Sequence, residues 1–258
     1  MRGFGRPGKT GTGPTSGRRL APGKHIVCVP TDMKNTLSVE PCTNVVAIGR
    51  KIGWKVEIIV GRGTADGWIT AFNQAIALHP NGIVSSSNSD TAQPEIDTAV
   101  KRGIVIVGLH FIAVPGAGAK RHVFYRIESS PQGIGKAEAD DVIAMSRGSG
   151  RAIILYDAQY AVARYKAETM HHEFATCTTC KLLAYANLPL SQVSTLTPHA
   201  VSSWITHYGL PFYVMTIADD YYGFVLPVLN QGGVGKNQAN LVGSDGPPSA
   251  YDRIRNGE

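Results

Sequence analysis

Polar side chains that could bind a small ligand follow the ends of several β-branched segments of the sequence. In an open parallel sheet, ligands bind beyond the carboxyl ends of the strands, so these positions would face one cleft. Acids, hydroxyls and imidazoles there would form hydrogen bonds with a polar ligand. The candidate positions are Thr31-Asp32, Ser85 to Ser89, His110, Asp157, Asp219-Asp220 and Asp245.

Motifs for catalysis or cofactor binding are incomplete. Gly61-Arg62-Gly63 follows a strand as a dinucleotide fingerprint does, but the third glycine, Gly67, comes one residue too late. The run from Gly232 to Asn237 lacks the first glycine and the final Ser or Thr of a phosphate loop. His171-His172-Glu173 lacks the spacing that places two imidazoles on one metal, and no G-x-S-x-G elbow occurs. We therefore predict no catalytic residue, no metal and no cofactor.

The cysteines indicate an oxidising compartment. The sequence contains four, and an even number supports disulfide bonding. Cys177 and Cys180 form a C-x-x-C that closes a predicted helix, whereas a redox C-x-x-C normally opens one. We predict a structural Cys177–Cys180 disulfide. Pairing of Cys28 with Cys42 is left open, and free thiols or metal chemistry are less favoured alternatives.

The elements that must position these residues repeat one pattern: a β-branched run, a turn of small polar residues, and a segment of helical period. The alternation predicts βαβ units around parallel sheets, and it restarts at Ala152. We predict an α/β fold of two Rossmann-like lobes, residues 24–129 and 130–258, with the ligand cleft between them. The predicted strands are 25–29, 56–60, 82–86, 104–109, 123–127, 152–156, 182–186, 212–218 and 240–243.

Apolar stripes at helical spacing lie between the predicted strands. Those within 64–79 and 160–175 carry Trp68 and Phe174 and predict helices that face the core rather than a cofactor. Thr64 or Asp66 is the expected cap of the first of these helices.

The net charge of +6 is concentrated at the amino terminus. Residues 1–24 contain six basic residues and no acid, which leaves the remainder neutral, with 19 basic and 19 acidic residues. The Gly, Pro, Ser and Thr content of residues 1–23 predicts a disordered basic leader rather than a nucleic-acid-binding arm. No signal peptide and no run of 18 apolar residues is visible.

The order of these elements resembles type I periplasmic binding proteins of sugar ABC transporters, the ribose-binding type, over residues 24–258. The segments that carry the resemblance are GIVSSSNSD, IVIVGLH, YDAQYAVARYKAETM, TIADD and LVGSDGPPSAYDRIRNGE. The resemblance implies a monomeric periplasmic protein that captures a small polar ligand, a sugar, for an ABC permease. It also implies a further strand and a return crossing beyond Glu258, so we expect the first lobe to lack part of its packing.

The resemblance also implies ligand contacts, position by position. His110 stands where ribose binders carry an arginine, Arg164 matches the arginine of the second lobe, and Asp245 matches the aspartate of an F-D-G turn. Carboxylates, amides and guanidinium groups are the side chains that hydrogen-bond sugar hydroxyls. Asp219 and Asp245 are also plausible helix caps. The predicted ligand-binding set is Asp32, Ser85, Asn88, His110, Arg164, Asp219 and Asp245.

Three alternative functions remain at this point. The effector-sensing domain of a transcription regulator has the same two-lobe fold, but residues 1–23 are too few for the helix-turn-helix that should precede it. A chemoreceptor-linked sensor would use the same cleft. A Rossmann-type enzyme is the least favoured alternative, because no nucleophile and base are paired in the sequence.

Overall fold

The computed structural model describes residues 16–17, 19–33, 36–86, 91–111, 116–118, 123–235 and 237–257. Within these ranges the chain forms two α/β lobes, each built on its own sheet, which confirms the predicted fold class. Most of the predicted leader, residues 1–15 and 18, lies outside the described residues.

The first lobe contains a sheet of order β2-β1-β3-β4-β6-β5 over its described residues. All pairs are parallel except β5 with β6, which is antiparallel. The three-residue strand β5 was not predicted, because Gly-Ala-Gly carries no β-branched signal. The elements are β1 His25–Val29, α1 Thr36–Lys51, β2 Lys55–Ile58, α2 Ala65–Ala77, β3 Gly82–Ser85, α3 Gln93–Lys101, β4 Val105–Leu109, β5 Gly116–Gly118 and β6 Val123–Ile127.

The second lobe contains a parallel sheet of order β10-β9-β7-β8. The chain enters this lobe after Ile127, and Ser130 caps its first helix by accepting a hydrogen bond from the backbone N–H of Gly133 at 3.0 Å. The elements are α4 Pro131–Met145, β7 Arg151–Tyr156, α5 Ala161–Phe174, β8 Lys181–Asn187, α6 Val193–Tyr208, β9 Phe212–Thr216, α7 Tyr222–Gln231, β10 Ala239–Val242 and α8 Pro248–Asn256.

Helix α2 shows how local sequence fixes an element that borders the cleft. Thr64, one of the two predicted caps, caps it: its side chain accepts a hydrogen bond from the N–H of Gly67 at 3.1 Å. Its buried side chains recur at helical spacing and anchor one face of the helix in the core. They are Trp68, Ala71, Phe72, Ala75 and Ile76.

Four predicted strands end earlier in the structure than in the sequence prediction, and the differences in β3 and β9 bear on the cleft. Strand β3 ends at Ser85 rather than Ser86. Strand β9 ends at Thr216, because its hydroxyl bonds the backbone of Ala218 and turns the chain away from the sheet. Ser86, Ile217 and Ala218 are therefore loop residues beyond the strand ends.

The two faces of the first sheet are covered differently. Helices α2 and α3 pack on one face and enclose a cluster of fully buried residues that includes Ile83 and Ile106. On the other face α1 is tied to β1 by the Cys28–Cys42 disulfide, and an apolar groove remains beside it. Phe124, which lines this groove, is 70% exposed. Among the described helices, none combines the length and the apolar character needed to cross a membrane.

Candidate functional site

The cleft between the lobes contains a partly open cavity with about 520 Å³ of empty space, its open side included. Its described lining lies at or just beyond the carboxyl ends of strands from both sheets, and on helices α1 and α5. The first lobe contributes Thr31, Ser38, Ser86 and His110. The second lobe contributes Tyr160, Val162, Ala163, Lys166, Leu190, Ile217, Ala218 and Asp245.

Three hydroxyl groups form a buried cluster at the first-lobe side of the cavity. The backbone N–H of Thr31 donates to Ser38 Oγ at 2.6 Å, and the Thr31 hydroxyl donates to the same oxygen at 2.7 Å. Ser38 Oγ and Ser86 Oγ lie 2.6 Å apart. Each hydroxyl can donate once and accept twice, and its proton rotates, so the cluster can adapt its hydrogen bonds to a ligand.

His110 pairs with a buried acid at the start of the connection between the lobes. Its Nδ1 lies 3.0 Å from Oε1 of Glu128, whose side chain is fully buried. The hydrogen bond that His110 donates to Glu128 raises the pKa of His110 above its ordinary value; burial opposes the shift, and the charges of Glu128 and the more distant Asp245 add to it. This environment favours the imidazolium form, in which both ring nitrogens donate.

Lys166 and Asp245 form a buried ion pair on the second-lobe side of the cavity. Lys166 Nζ lies 3.0 Å from Oδ2 and 3.1 Å from Oδ1 of Asp245, and the two side chains are only 4% and 7% exposed. The ammonium also donates to the carbonyl oxygen of Ile217 at 2.8 Å and to Ser244 Oγ at 3.2 Å. These acceptors use its three protons, and the pair is electrically neutral as a whole.

A close approach of two helices places Lys166 in the cleft wall. A Cβ on Gly135 of α4 would lie 2.3 Å from the carbonyl oxygen of Lys166, so a glycine is needed where α4 crosses α5. Glu138, one turn further along α4, is 5% exposed. Burial raises the pKa of Glu138 to about 8, while the Ser244 hydroxyl and the charge of Lys166 oppose the shift. Glu138 is therefore largely protonated near neutral pH.

An aromatic contact joins the lobes beside the cavity. The rings of Trp68 on α2 and Tyr160, the residue before α5, have centroids 5.3 Å apart. Trp68 Nε1 donates to the carbonyl oxygen of Thr31 at 3.2 Å. Burial raises the pKa of Tyr160 well above its ordinary value, and a hydrogen bond with the Thr31 side chain opposes the shift. The two lobes thus touch at the edge of the cleft.

Only some of the predicted ligand-binding residues line the described part of the cavity. His110 and Asp245 line the cavity. Arg164, on α5, donates from Nη1 to the carbonyl oxygen of Ala158 in the loop before that helix, at 2.6 Å. Asp32 is buried beside Gly63, where Ser191 of the second lobe also approaches. Asn88 lies outside the described residues.

Ser85 and Asp219 have structural partners. Ser85 is fully buried and donates to the carbonyl oxygen of Val29 at 3.1 Å, and its neighbour Ser86 is the residue that lines the cavity. Asp219 accepts a hydrogen bond from the N–H of Gly246 at 3.1 Å and so fixes the loop that carries Asp245. Burial raises the pKa of Asp219 to about 6, and the Gly246 hydrogen bond opposes the shift.

Lys166 and Ser38 line the cavity but were absent from the sequence prediction. Lys166 lies between two buried alanines, Ala163 and Ala167, on the face of α5 that packs closely on its neighbours. These alanines could have indicated that Lys166 is buried, because small residues mark a tightly packed helix face. Ser38 had no comparable signal in the sequence.

Both cysteine pairs form disulfides. Cys177 bonds Cys180, with the Cα atoms 5.3 Å apart, and Cys28 bonds Cys42, with the Cα atoms 5.7 Å apart. Both bonds lie outside the lining of the cavity. The pairing that the sequence left open, Cys28 with Cys42, joins β1 to α1 and so supports the loop that contains Thr31 and Asp32.

The chain belongs to a family of binding proteins. The family model described as periplasmic binding protein domain matches residues 26–258, which confirms the resemblance seen in the sequence. Membership of this family implies an extracytoplasmic location. No curated protein sequence matches the chain significantly.

Solved structures share the fold at low sequence identity. A sugar ABC transporter protein of Yersinia enterocolitica subsp. enterocolitica 8081 has a TM-score of 0.79 at 14% identity, covering 92% of this chain and 70% of that one. The myo-inositol binding protein of Caulobacter has a TM-score of 0.78 at 17% identity, covering 93% and 81%. The 5-methylthioribose transporter solute binding protein of Thermotoga lettingae TMO has a TM-score of 0.79 at 15% identity, covering 89% and 71%.

Proposed function

We propose that this protein captures a sugar in the cleft between its lobes and delivers it to an ABC permease. The observation that carries the proposal is that both lobes contribute hydrogen-bonding side chains to the cavity lining. His110 and the hydroxyl cluster belong to the first lobe and Asp245 to the second. A ligand can favour the closed arrangement only if it makes better contacts there than in the open one, and contacts from both lobes meet that requirement.

The titles of related structures support a polyhydroxylated ligand. They name L-arabinofuranose for a protein of Shewanella sp. ANA-3, D-allose for one of Actinobacillus succinogenes 130z, and myo-inositol for one of Caulobacter. All three compounds offer several hydroxyl groups on a compact ring. The buried hydroxyls and the Asp245 carboxylate are suited to the same chemistry.

In this proposal the predicted residues have two kinds of role. His110 and Asp245 contact the ligand directly, and Ser86 takes the contact expected of Ser85. The remaining residues of the predicted set position these groups or border the cleft. They are Asp32, Ser85, Arg164 and Asp219; Asn88, which lies outside the described residues, keeps its predicted role as a ligand contact.

We further propose that the protein acts in the periplasm as a monomer. Its partners would be the sugar and a membrane permease, with no nucleic acid and no catalytic activity. Two disulfides fit an oxidising compartment, since such bonds persist there and are rare in the cytosol.

Thermal unfolding with a panel of pentoses, hexoses, polyols and aromatic acids tests the proposal. A ligand present at 100 times its Kd should add about 2.7 kcal/mol to the free energy of unfolding, which raises the melting temperature measurably. We expect at least one sugar or polyol to stabilise the protein in this way. Stabilisation by aromatic acids alone, or by no member of the panel, would contradict the proposal.

A further inference from the structure

The second lobe presents a mainly apolar wall to the cavity. Its loops beyond β9 and the first turns of α5 bring aliphatic side chains to the surface of the cleft, and the turn before α6 adds one more. This part of the chain, residues 123–235 and 237–257, is almost completely described. The aliphatic residues in the wall are Val162, Ala163, Leu190, Ile217 and Ala218.

The polar residues in this wall are Tyr160, Lys166 and Asp245, and the Lys166 ammonium has no proton left for a ligand. The three protons of Lys166 are directed to Ile217, Ser244 and Asp245. Asp157, just after β7, is not part of the cavity lining; it accepts from the backbone N–H groups of Gln159 at 2.9 Å and Leu190 at 2.8 Å. The carboxylate of Asp245 remains as an acceptor, because an ionised carboxylate has about four lone-pair positions and Lys166 occupies only part of them.

The first lobe has the opposite character. Its described lining consists of three hydroxyls, from Thr31, Ser38 and Ser86, and the ring of His110. Ser38 Oγ accepts from the N–H and the hydroxyl of Thr31 and lies 2.6 Å from Ser86 Oγ, so the capacity left for a ligand belongs mainly to Ser86 and to the His110 ring, which Glu128 holds through Nδ1. The cavity is therefore polar on its first-lobe side and mainly aliphatic on its second-lobe side, where Tyr160, Lys166 and Asp245 are the polar residues.

We infer that the ligand is a deoxysugar, whose C–H or methyl side faces the second lobe and whose hydroxyl edge faces the first. This inference rests on the proposed function and names its substrate class. A sugar with hydroxyls on both sides would bury one of them against the aliphatic wall without a partner. Such a hydroxyl loses its hydrogen bonds to water, and the loss weakens binding by about tenfold to a hundredfold.

Calorimetry with matched sugar pairs tests the inference. Suitable pairs are L-rhamnose with L-mannose, L-fucose with L-galactose, and 5-deoxy-D-ribose with D-ribose, since the members of each pair differ by one hydroxyl. We expect the deoxy member of at least one pair to bind about tenfold or more tightly than its hydroxylated partner. Equal or tighter binding of the hydroxylated member in every pair that binds would overturn the inference and leave the proposed function standing.

The remaining outcomes also separate the two proposals. If none of the six sugars binds but another fully hydroxylated sugar or a polyol does, the deoxysugar inference is wrong and the sugar-binding function is right. If no sugar or polyol binds, both are wrong.

Variants of the wall provide a second test. Ala163→Ser places a hydroxyl in the wall and should reduce the preference for the deoxy member by about tenfold, because the added hydroxyl can pair with the extra one on the sugar. Ala167→Ser, on the same helix but fully buried outside the cavity lining, is the matched control and should keep the preference. Val162→Thr repeats the test with nearly the same side-chain shape. An unchanged preference in both folded wall variants would overturn the inference.

Discussion

Lys166 on α5 holds the carboxylate of Asp245, which follows β10, in an ion pair with both side chains almost fully buried. The pair links helix α5 to the loop after β10, which borders the cleft. Asp245 has a φ of +83°, a left-handed conformation that aspartate tolerates better than most residues. The ion pair thus fixes a hydrogen-bond acceptor in a wall that is otherwise mainly aliphatic.

Removing the lysine should destabilise the protein strongly. Lys166→Met leaves the buried Asp245 carboxylate without its partner, and breaking a buried pair in this way costs about 3–5 kcal/mol. Urea unfolding measures the change. The double variant Lys166→Met/Asp245→Asn should recover part of the loss, because neither charge is then left alone.

The control for this prediction is an exposed lysine. Lys136→Met removes a surface pair with Glu173 and Asp140 and should change stability far less than Lys166→Met, because water screens exposed charges. Similar losses for the two variants would show that the Lys166 pair has no special role.

Protonation of His110 should make stability depend on pH. Its pKa is raised in the folded state by the Glu128 hydrogen bond, so the stabilisation is fully present below the unfolded value of 6.5. The stabilisation is lost as the pH rises through the folded pKa. The stability advantage of the wild type over His110→Gln should therefore be largest below pH 6.5 and shrink above it. Glu128→Gln should abolish this trend, and parallel pH profiles for wild type and His110→Gln would contradict the pairing.

Glu138 should also make the protein less stable as the pH rises, but here the cause is burial rather than a hydrogen bond. Burial raises its folded pKa from 4.5 to about 8, so between these pH values the folded protein keeps a proton that the unfolded chain has lost. Over that range the wild type should lose about 1.4 kcal/mol per pH unit relative to Glu138→Gln. The measurement is urea unfolding of both proteins from pH 5 to pH 8. A constant difference between them would show that Glu138 is ionised throughout.

Both disulfides should be detectable chemically. Thiol titration of the denatured, unreduced protein after expression in an oxidising compartment should find no reactive thiol, because all four cysteines are paired. Reduction before the assay should release four thiols. Reactive thiols in the unreduced sample would remove the argument for an oxidising compartment.

Much of the fold could be predicted from the sequence, because β-branched runs alternate with helical stripes. Strand β1 and strand β6 have the predicted bounds. Strand β9 was predicted two residues too long, because the apolar pair Ile217-Ala218 continues the strand pattern. In the structure the Thr216 hydroxyl bonds the backbone of Ala218 and turns the chain there. Short strand β5 has no propensity signal, so only tertiary pairing with β6 defines it.

The candidate site could be predicted only in part. Strand ends give the positions of His110 and Asp245, because the topology of a parallel sheet brings these ends to one edge. Which way a side chain turns at a strand end depends on packing: Ser85 turns to Val29 while Ser86 faces the cavity. Lys166 was missed because a buried lysine is rare and its partner lies far along the chain.

Calorimetric titration of cleft variants with the sugar that most stabilises the wild type tests the central claim most directly. If the ligand is bound between the lobes, His110→Ala and Asp245→Ala should each weaken binding by at least about tenfold, because each leaves a hydrogen-bonding group of the ligand unpaired. Asp252→Ala, on the surface of α8, should bind like the wild type. Unchanged affinity in both cleft variants, with folding intact, would contradict the account.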